Sequence, residues 1–143
     1  MAHAINGGEP ARLLRQAGLR VTPQRLAIVS EVLNRQHPTA AEVFEAVRVQ
    51  FPTMGLATVY ATLNTMTEHG LVTPLPLANA VRFDANVSPH ANLICTRCGS
   101  IVDFAGCTDV LDELRSRTAT SAGFELGVGR LDLYGTCHSC RRP

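Results

Sequence analysis

Two Cys-x-x-Cys pairs, Cys95-Thr-Arg-Cys98 and Cys137-His-Ser-Cys140, stand 38 residues apart in the second half of the chain. Four thiolates so arranged can reach the corners of a tetrahedron, the geometry that a structural Zn²⁺ takes with sulfur ligands. Gly99 follows the first pair and Gly135-Thr136 precede the second, so each pair is bounded as a metal-binding knuckle. The competing chemistry is a redox dithiol, which usually has one such pair opening a helix within a thioredoxin-like βαβ pattern. Neither pair has that setting. A four-sulfur site also leaves no open coordination position, so the zinc supports folding and the remaining chemistry must be sought elsewhere.

The other isolated candidates read blandly. Cys107 belongs to neither pair and reads as a small apolar residue before a helix. His3 falls in the N-terminal tail, His69 reads as a partner for the C-terminal end of a helix, and His138 lies inside a knuckle already served by two sulfurs.

Composition limits the class. The chain has 143 residues, 45% of them apolar and 17% charged, with a net charge of +1. That length allows one domain or two small ones, each near the size at which a core alone is marginal, and a metal staple suits such a unit. No apolar run approaches a membrane span, and the first residues show no secretion signal. Five cysteines, four of them assigned to a metal, indicate a reducing cytoplasm rather than a disulfide scaffold. All 13 basic residues are arginine. Arg12, Arg15, Arg20 and Arg25 face only Glu9 in the first thirty residues, which reads equally as a solvated face or as a phosphate-binding edge.

The elements that must position these groups follow from capping and periodicity. Glu9 to Ala17 is predicted helical and closed by Gly18. Thr22-Pro23 then supplies a cap and a proline at the first helical position, with Leu26, Ile28, Val29, Val32 and Leu33 on the inner face. Thr39-Ala-Ala-Glu42 is a capping box opening a third helix, with Val43, Phe44 and Val47 inward and Pro52 as the stop. A fourth helix, from about Leu56 to Gly70, buries Val59, Leu63 and Met66. Its outer face carries Thr58, Tyr60, Ala61, Asn64 and Thr65, with no charge among them. Such a face suits either a helix in the major groove, where Tyr, Thr and Asn bond phosphates and base edges, or a plain surface. The following residues favour the groove. Leu71 to Leu75 and Ala80 to Asp84 read as a hairpin, and helices followed by a two-stranded hairpin is the winged-helix order, with Arg82 on the wing available to phosphate.

Asn86 to Pro89 reads as a linker. Beyond it come a strand (Asn92 to Ile94), the first knuckle, a strand (Ser100 to Phe104), a helix (Thr108 to about Thr120, with Val110, Leu111 and Leu114 inward), a strand (Phe124 to Tyr134) and the second knuckle. One helix on a small sheet buries little, so a second copy of the chain is expected on its apolar edge. The expected fold is α+β. Residues 1–84 form a winged helix-turn-helix DNA-binding domain, 85–89 a hinge, and 90–143 a small zinc-stapled α/β dimerisation domain.

The order and wording of these motifs resemble the ferric uptake regulator (Fur) family of metal-dependent transcription factors. The resemblance rests on Leu-Arg-Val-Thr-Pro-Gln-Arg25, His37-Pro-Thr-Ala, Ala-Thr58-Val-Tyr60, Gly-Leu-Val, Arg82-Phe-Asp84, His90-x-x-x-Ile-Cys95-x-x-Cys98-Gly, Ile-Val-Asp103-Phe and Leu-Tyr-Gly-x-Cys137-x-x-Cys140. Asp84 and Asp103 make the wording most like the peroxide-sensing (PerR) branch. The resemblance implies a second, regulatory metal site that this branch builds from three His and two Asp. These map onto His37, Asp84, His90 and Asp103, with Asn92 in the remaining His place. Nitrogen and oxygen ligands of this mixture favour Fe²⁺ or Mn²⁺ on hardness, and the neutral amide of Asn92 departs from the pattern. A further metal site of some members is expected to be absent, because Ala91 and Val128-Gly129 offer no ligand.

The resemblance implies a dimeric, cytoplasmic repressor that closes on a palindromic operator in double-stranded DNA when Fe²⁺ or Mn²⁺ is bound. Peroxide sensing would follow if bound iron led to oxygen addition at His37 or His90. The alternative is a reversible manganese or iron uptake regulator without peroxide chemistry. The expected DNA contacts are Arg20, Arg25, Thr58, Tyr60, Ala61, Asn64 and Arg82. Two readings of other classes are a zinc hydrolase or thiol oxidoreductase, which the closed four-sulfur site does not suit, and a zinc-stapled protein-interaction module. No catalytic residue is assigned.

Overall fold

The computed structural model describes residues 8–126 and 130–142, and the chain divides into two compact units, Met1–Val87 and Ser88–Pro143. The positions of His3 and Val128-Gly129 lie outside the described residues.

In the first unit, α1 (Glu9–Gln16), α2 (Pro23–Asn34), α3 (Ala40–Val47) and α4 (Leu56–Glu68) precede a hairpin of β1 (Thr73–Pro76) and β2 (Val81–Asp84). This is a winged helix. Gly18, at φ 70°, occupies the left-handed region just beyond α1, where a residue with a Cβ is disfavoured. The Thr22 hydroxyl caps α2 by accepting the Arg25 N–H at 3.2 Å, and Pro23 opens that helix without losing a needed donor. The capping box of α3 is complete: Thr39 Oγ1 accepts the Glu42 N–H at 3.1 Å and Glu42 Oε2 accepts the Thr39 N–H at 2.8 Å. The helix stops at Val47, earlier than Pro52, because the Gln50 and Phe51 N–H groups both turn back onto the Val47 carbonyl.

Ile28, Val29, Val32, Val43, Val59 and Leu63 are fully buried and join Leu14, Met66 and Phe83 in one core. Each such side chain contributes about 1.5–3 kcal/mol of burial, so apolar periodicity decides which helix faces meet. The wing is tied to the helices through its inner strand. The Phe83 N–H donates to the Pro38 carbonyl at 2.8 Å, and Thr39 forms a β-bridge with Arg82.

The second unit holds β3 (Ala91–Cys95), β4 (Ile101–Phe104), α5 (Thr108–Ala122), β5 (Leu131–Gly135) and the short α6 (His138–Arg141). The sheet order is β4-β3-β5, antiparallel between β3 and β4 and parallel between β3 and β5. Register gives the sheet two unlike faces. Asn92 pairs with Asp103 on one side and Asp132 on the other, while Leu93 pairs with Val102 and Leu133. Residues paired in register share a face and successive residues alternate. One face therefore carries the row Asp103–Asn92–Asp132 and the opposite face the row Val102–Leu93–Leu133.

Two expectations are corrected here. Val110 and Leu114 do not point inward: they are 60% and 50% exposed, and α5 has no buried residue. Periodicity identifies the apolar stripe of a helix but not the surface that covers it, and this unit supplies no cover. The last strand begins at Leu131, with Phe124 exposed and outside any strand.

Candidate metal centres and nucleic-acid face

The two knuckles meet. Cys95, Cys98, Cys137 and Cys140 offer four sulfurs that all lie within 4.8 Å of one another. Cys98 Sγ and Cys137 Sγ are 3.8 Å apart, which matches the edge of about 3.8 Å in a tetrahedron with Zn–S bonds of about 2.3 Å. The cluster is electrostatically prepared for a cation. The Cys137 N–H points at Cys95 Sγ at 3.3 Å and, with the Cys98 N–H, holds the Cys95 thiol down at about 6. The Ser100 hydroxyl, 3.2 Å from Cys98 Sγ, lowers that thiol too. Cys140 shares hydrogen bonds with Cys137 and Cys98 and is pushed up to about 12, as expected when crowded sulfurs retain a proton. The residues fit Zn²⁺.

In the first unit, His37 and Asp84 are buried and face each other, with His37 Nε2 3.7 Å from Asp84 Oδ2. His37 has φ 51°, the one described non-glycine residue in the left-handed region. Such a conformation persists where surrounding contacts over-determine it. Here the Arg82 guanidinium donates to the His37 carbonyl at 3.0 Å, and the next residue, Pro38, accepts from the wing strand. Asp84 is oriented in its turn, because Oδ1 accepts the Asn86 N–H at 2.8 Å and Oδ2 faces the imidazole.

The second unit presents a similar cluster on the polar face of its sheet. His90 Nδ1 lies 2.7 Å from the Ser88 carbonyl, which can only accept, so Nδ1 carries a proton, and whenever the ring is neutral Nε2 presents a lone pair. That nitrogen lies 3.2 Å from Asn92 Oδ1 and 3.6 Å from Asp103 Oδ1. Three acceptors thus turn toward one another, an arrangement that suits a cation. Asn92 is 1% exposed, and its Nδ2 donates to Asp132 Oδ1 at 3.0 Å. The Arg130 guanidinium donates in turn to Asp132 Oδ2, at 2.8 Å from both Nε and Nη2. Sequence reading missed Asp132 and Arg130. The signal was the strand register, which depends on a parallel pairing that local patterns do not specify.

The outer face of α4 agrees with its periodicity: Thr58, Tyr60, Ala61 and Asn64 are exposed and Thr65 is partly so, while Thr62 turns inward and its hydroxyl donates to the Thr58 carbonyl at 3.0 Å. A concavity of about 580 Å³ beside it is lined by Arg20, Thr22, Gln24, Arg25, Thr58 and Ala61 among others. Both arginines therefore border the uncharged face of α4, and Arg25 Nη1 donates to the Arg20 carbonyl at 2.9 Å. The Arg82 guanidinium donates to the His37 carbonyl and lies 3.9 Å from Glu42 Oε2, because that carbonyl and the capping box offer acceptors close to the wing strand. His69 Nδ1 donates to the Thr65 carbonyl at 2.8 Å, at the C-terminal end of α4. Cys107 is buried, with Sγ 3.5 Å from the Phe104 carbonyl.

Comparison with known proteins agrees with this architecture. The pattern of the ferric uptake regulator family matches residues 16–134. The "Peroxide operon regulator" of Bacillus subtilis is 40% identical over 143 residues, covering 99% of this chain and 96% of its own. Among solved structures, the ferric uptake regulator of Vibrio cholerae superposes with a TM-score of 0.69 at 33% identity, covering 88% of this chain and 98% of its own. The peroxide stress regulator of Campylobacter jejuni does so with a TM-score of 0.73 at 27% identity, covering 91% and 95%. The family match spans both units and takes in His37, Asp84, His90, Asp103 and the first cysteine knuckle, and the chain belongs to the ferric uptake regulator family.

Proposed function

We propose that this protein is a peroxide-responsive, metal-dependent repressor that binds DNA as a homodimer. The observation that carries the reading is the convergence of His90 Nε2, Asn92 Oδ1 and Asp103 Oδ1, three acceptors arranged for a cation. The tetrahedron of Cys95, Cys98, Cys137 and Cys140 holds structural Zn²⁺. A regulatory Fe²⁺ or Mn²⁺ draws on His90, Asn92 and Asp103 of the second unit and on His37 and Asp84 of the first. Binding of this ion favours the state of the dimer that engages a palindromic operator. When bound, Fe²⁺ supplies the electrons that reduce hydrogen peroxide, and His37 and His90 are the ligands exposed to the resulting oxidation.

DNA contact falls to the neutral face of α4. Tyr60, Thr58 and Asn64 reach phosphates and base edges, Ala61 meets thymine methyls, and Arg20 and Arg25 hold phosphates beside them. Arg82 serves the metal ligand His37 first and the DNA wing second. The second copy covers the Val102–Leu93–Leu133 face and α5, whose apolar side chains are otherwise exposed. Among the described residues no helix is long and apolar enough to cross a membrane, and a cytoplasmic setting suits reduced thiolates.

A second reading, a reversible manganese regulator, is favoured by one observation: Asn92 places an amide oxygen where an imidazole would be softer. The test is metal content per chain after anaerobic incubation with Mn²⁺ or Fe²⁺ and removal of the excess. The expected result is one zinc plus one added ion, the second lost in H37A or D103A, together with retention of palindromic sites from a random DNA library only when that ion is present. Zinc alone, with unchanged DNA retention, would overturn the metal-dependent reading. Peroxide treatment of the Fe²⁺ form separates the two sensors, since oxygen addition to His37 or His90 is expected only of the peroxide-responsive one.

A further inference from the structure

We propose that Asp132, itself held by Arg130, is the positioning residue that decides which end of the Asn92 amide faces the regulatory ion. The proposal rests on the regulatory site argued above and adds to it two residues that are not ligands.

An asparagine amide can be turned by half a rotation at almost no steric cost, and the two orientations are chemically opposite. With Oδ1 toward His90, the amide adds a third acceptor to the imidazole lone pair and the Asp103 carboxylate, completing a site for a cation. With Nδ2 toward His90, the amide donates a hydrogen bond to the Nε2 lone pair and closes the cluster without an ion. The partner on the far side of Asn92 makes the choice. Asp132 lies directly across the parallel β3–β5 ladder, and its carboxylate can only accept, so it draws Nδ2 to itself at 3.0 Å and leaves Oδ1 for the ion. Arg130 holds the other carboxylate oxygen, Oδ2, through Nε and Nη2. It thereby fixes the Asp132 carboxylate in rotamer. The chain Arg130–Asp132–Asn92 acts as an outer-sphere relay of the kind that orients metal ligands.

The isosteric variant D132N tests the direction of the relay. Arg130 still requires an acceptor, so the new amide oxygen takes the Oδ2 place and the new NH₂ points at Asn92. Asn92 must then offer its oxygen to residue 132 and turn its own NH₂ onto His90 Nε2. Mn²⁺ affinity, measured by the EPR signal of the free ion on the full-length zinc-loaded protein, is expected to fall about 10- to 100-fold. Loss of one negative charge near the ion would also weaken binding, so the same substitution is made in N92D. A carboxylate at position 92 has no donor end, and D132N there replaces a like-charged contact by a hydrogen bond. N92D/D132N is therefore expected to bind Mn²⁺ at least as tightly as N92D.

Zinc content of one per chain and an unchanged thermal midpoint show that each variant is folded. Equal affinity of D132N and the wild type would overturn the relay, as would a D132N loss that recurs undiminished in N92D. A wild type that takes up no Mn²⁺ beyond its zinc would overturn both this proposal and the regulatory site beneath it, whereas a wild type that binds normally confines any failure to the relay.

Discussion

His37 carries backbone strain that its neighbours hold in place. A φ of 51° is unusual for a residue with a Cβ, and the Arg82 hydrogen bond to its carbonyl is a side-chain contact that helps to hold it. R82M removes a charge-assisted bond while leaving the side-chain volume, so the imidazole should lose its fixed direction toward Asp84. Mn²⁺ affinity is expected to fall about 10-fold, with global stability changed by no more than about 1–2 kcal/mol. Parallel titrations with Mn²⁺ and urea check this, and a variant that binds the ion normally would remove Arg82 from the site. The four sulfurs make a pH prediction. In the metal-free cluster Cys95, at about 6, is ionised at neutral pH while Cys140, at about 12, is protonated. Zinc must displace the Cys140 proton, so loading at neutral pH releases at least one proton and apparent zinc affinity rises with pH. Below about pH 6 Cys95 also protonates and the dependence steepens. An indicator dye in weak buffer reads the release on adding Zn²⁺ to the apoprotein, and no release would contradict the assignment.

At the scale of elements, the three-stranded sheet separates two tasks by parity. Asp103, Asn92 and Asp132 share one face because they are in register, and Val102, Leu93 and Leu133 share the other. The apolar face and the stripe of α5 remain open: Val102 is 57% exposed, Val110 60% and Leu114 50%. An apolar surface of this extent on a small unit suits a permanent partner rather than water. The double substitution V110E/L114E places two charges on that stripe without altering the sheet. It is expected to shift the protein from dimer to monomer in sedimentation equilibrium while leaving one zinc per chain. A variant that stays dimeric would place the partner elsewhere. Helices of the first unit need no such help, since the capping box of α3 and the proline start of α2 set their limits locally.

For the whole molecule, the net charge of +1 implies that DNA affinity comes from local placement of arginines rather than from an overall field. Arg20 and Arg25 border the neutral face of α4, two per protomer and four per dimer. Neutralising about four phosphates gives a slope of roughly −4 in log K against log salt. Fluorescence anisotropy with operator DNA over a salt series should show that slope, and R20A/R25A should flatten it toward zero while lowering affinity at every salt concentration. A salt-independent interaction would favour readout without phosphate contacts and count against this interface.

Capping residues, prolines and apolar periodicity determined the four helices and the wing from the sequence alone, because these signals act within a few residues of the chain. The cysteine spacing likewise announced a four-sulfur centre, since a knuckle is a local turn and thiolates accept few alternative roles. Resemblance of motifs supplied His37, Asp84, His90, Asn92 and Asp103 as a set. Only the tertiary structure decided what surrounds them. Asp132 meets Asn92 through a parallel pairing between strands far apart in sequence, and Arg82 turns from the wing surface to the His37 carbonyl because the fold brings that acceptor within reach. The outward stripe of α5 was legible as apolar but not as uncovered, since covering a helix face depends on what packs against it and not on its own residues.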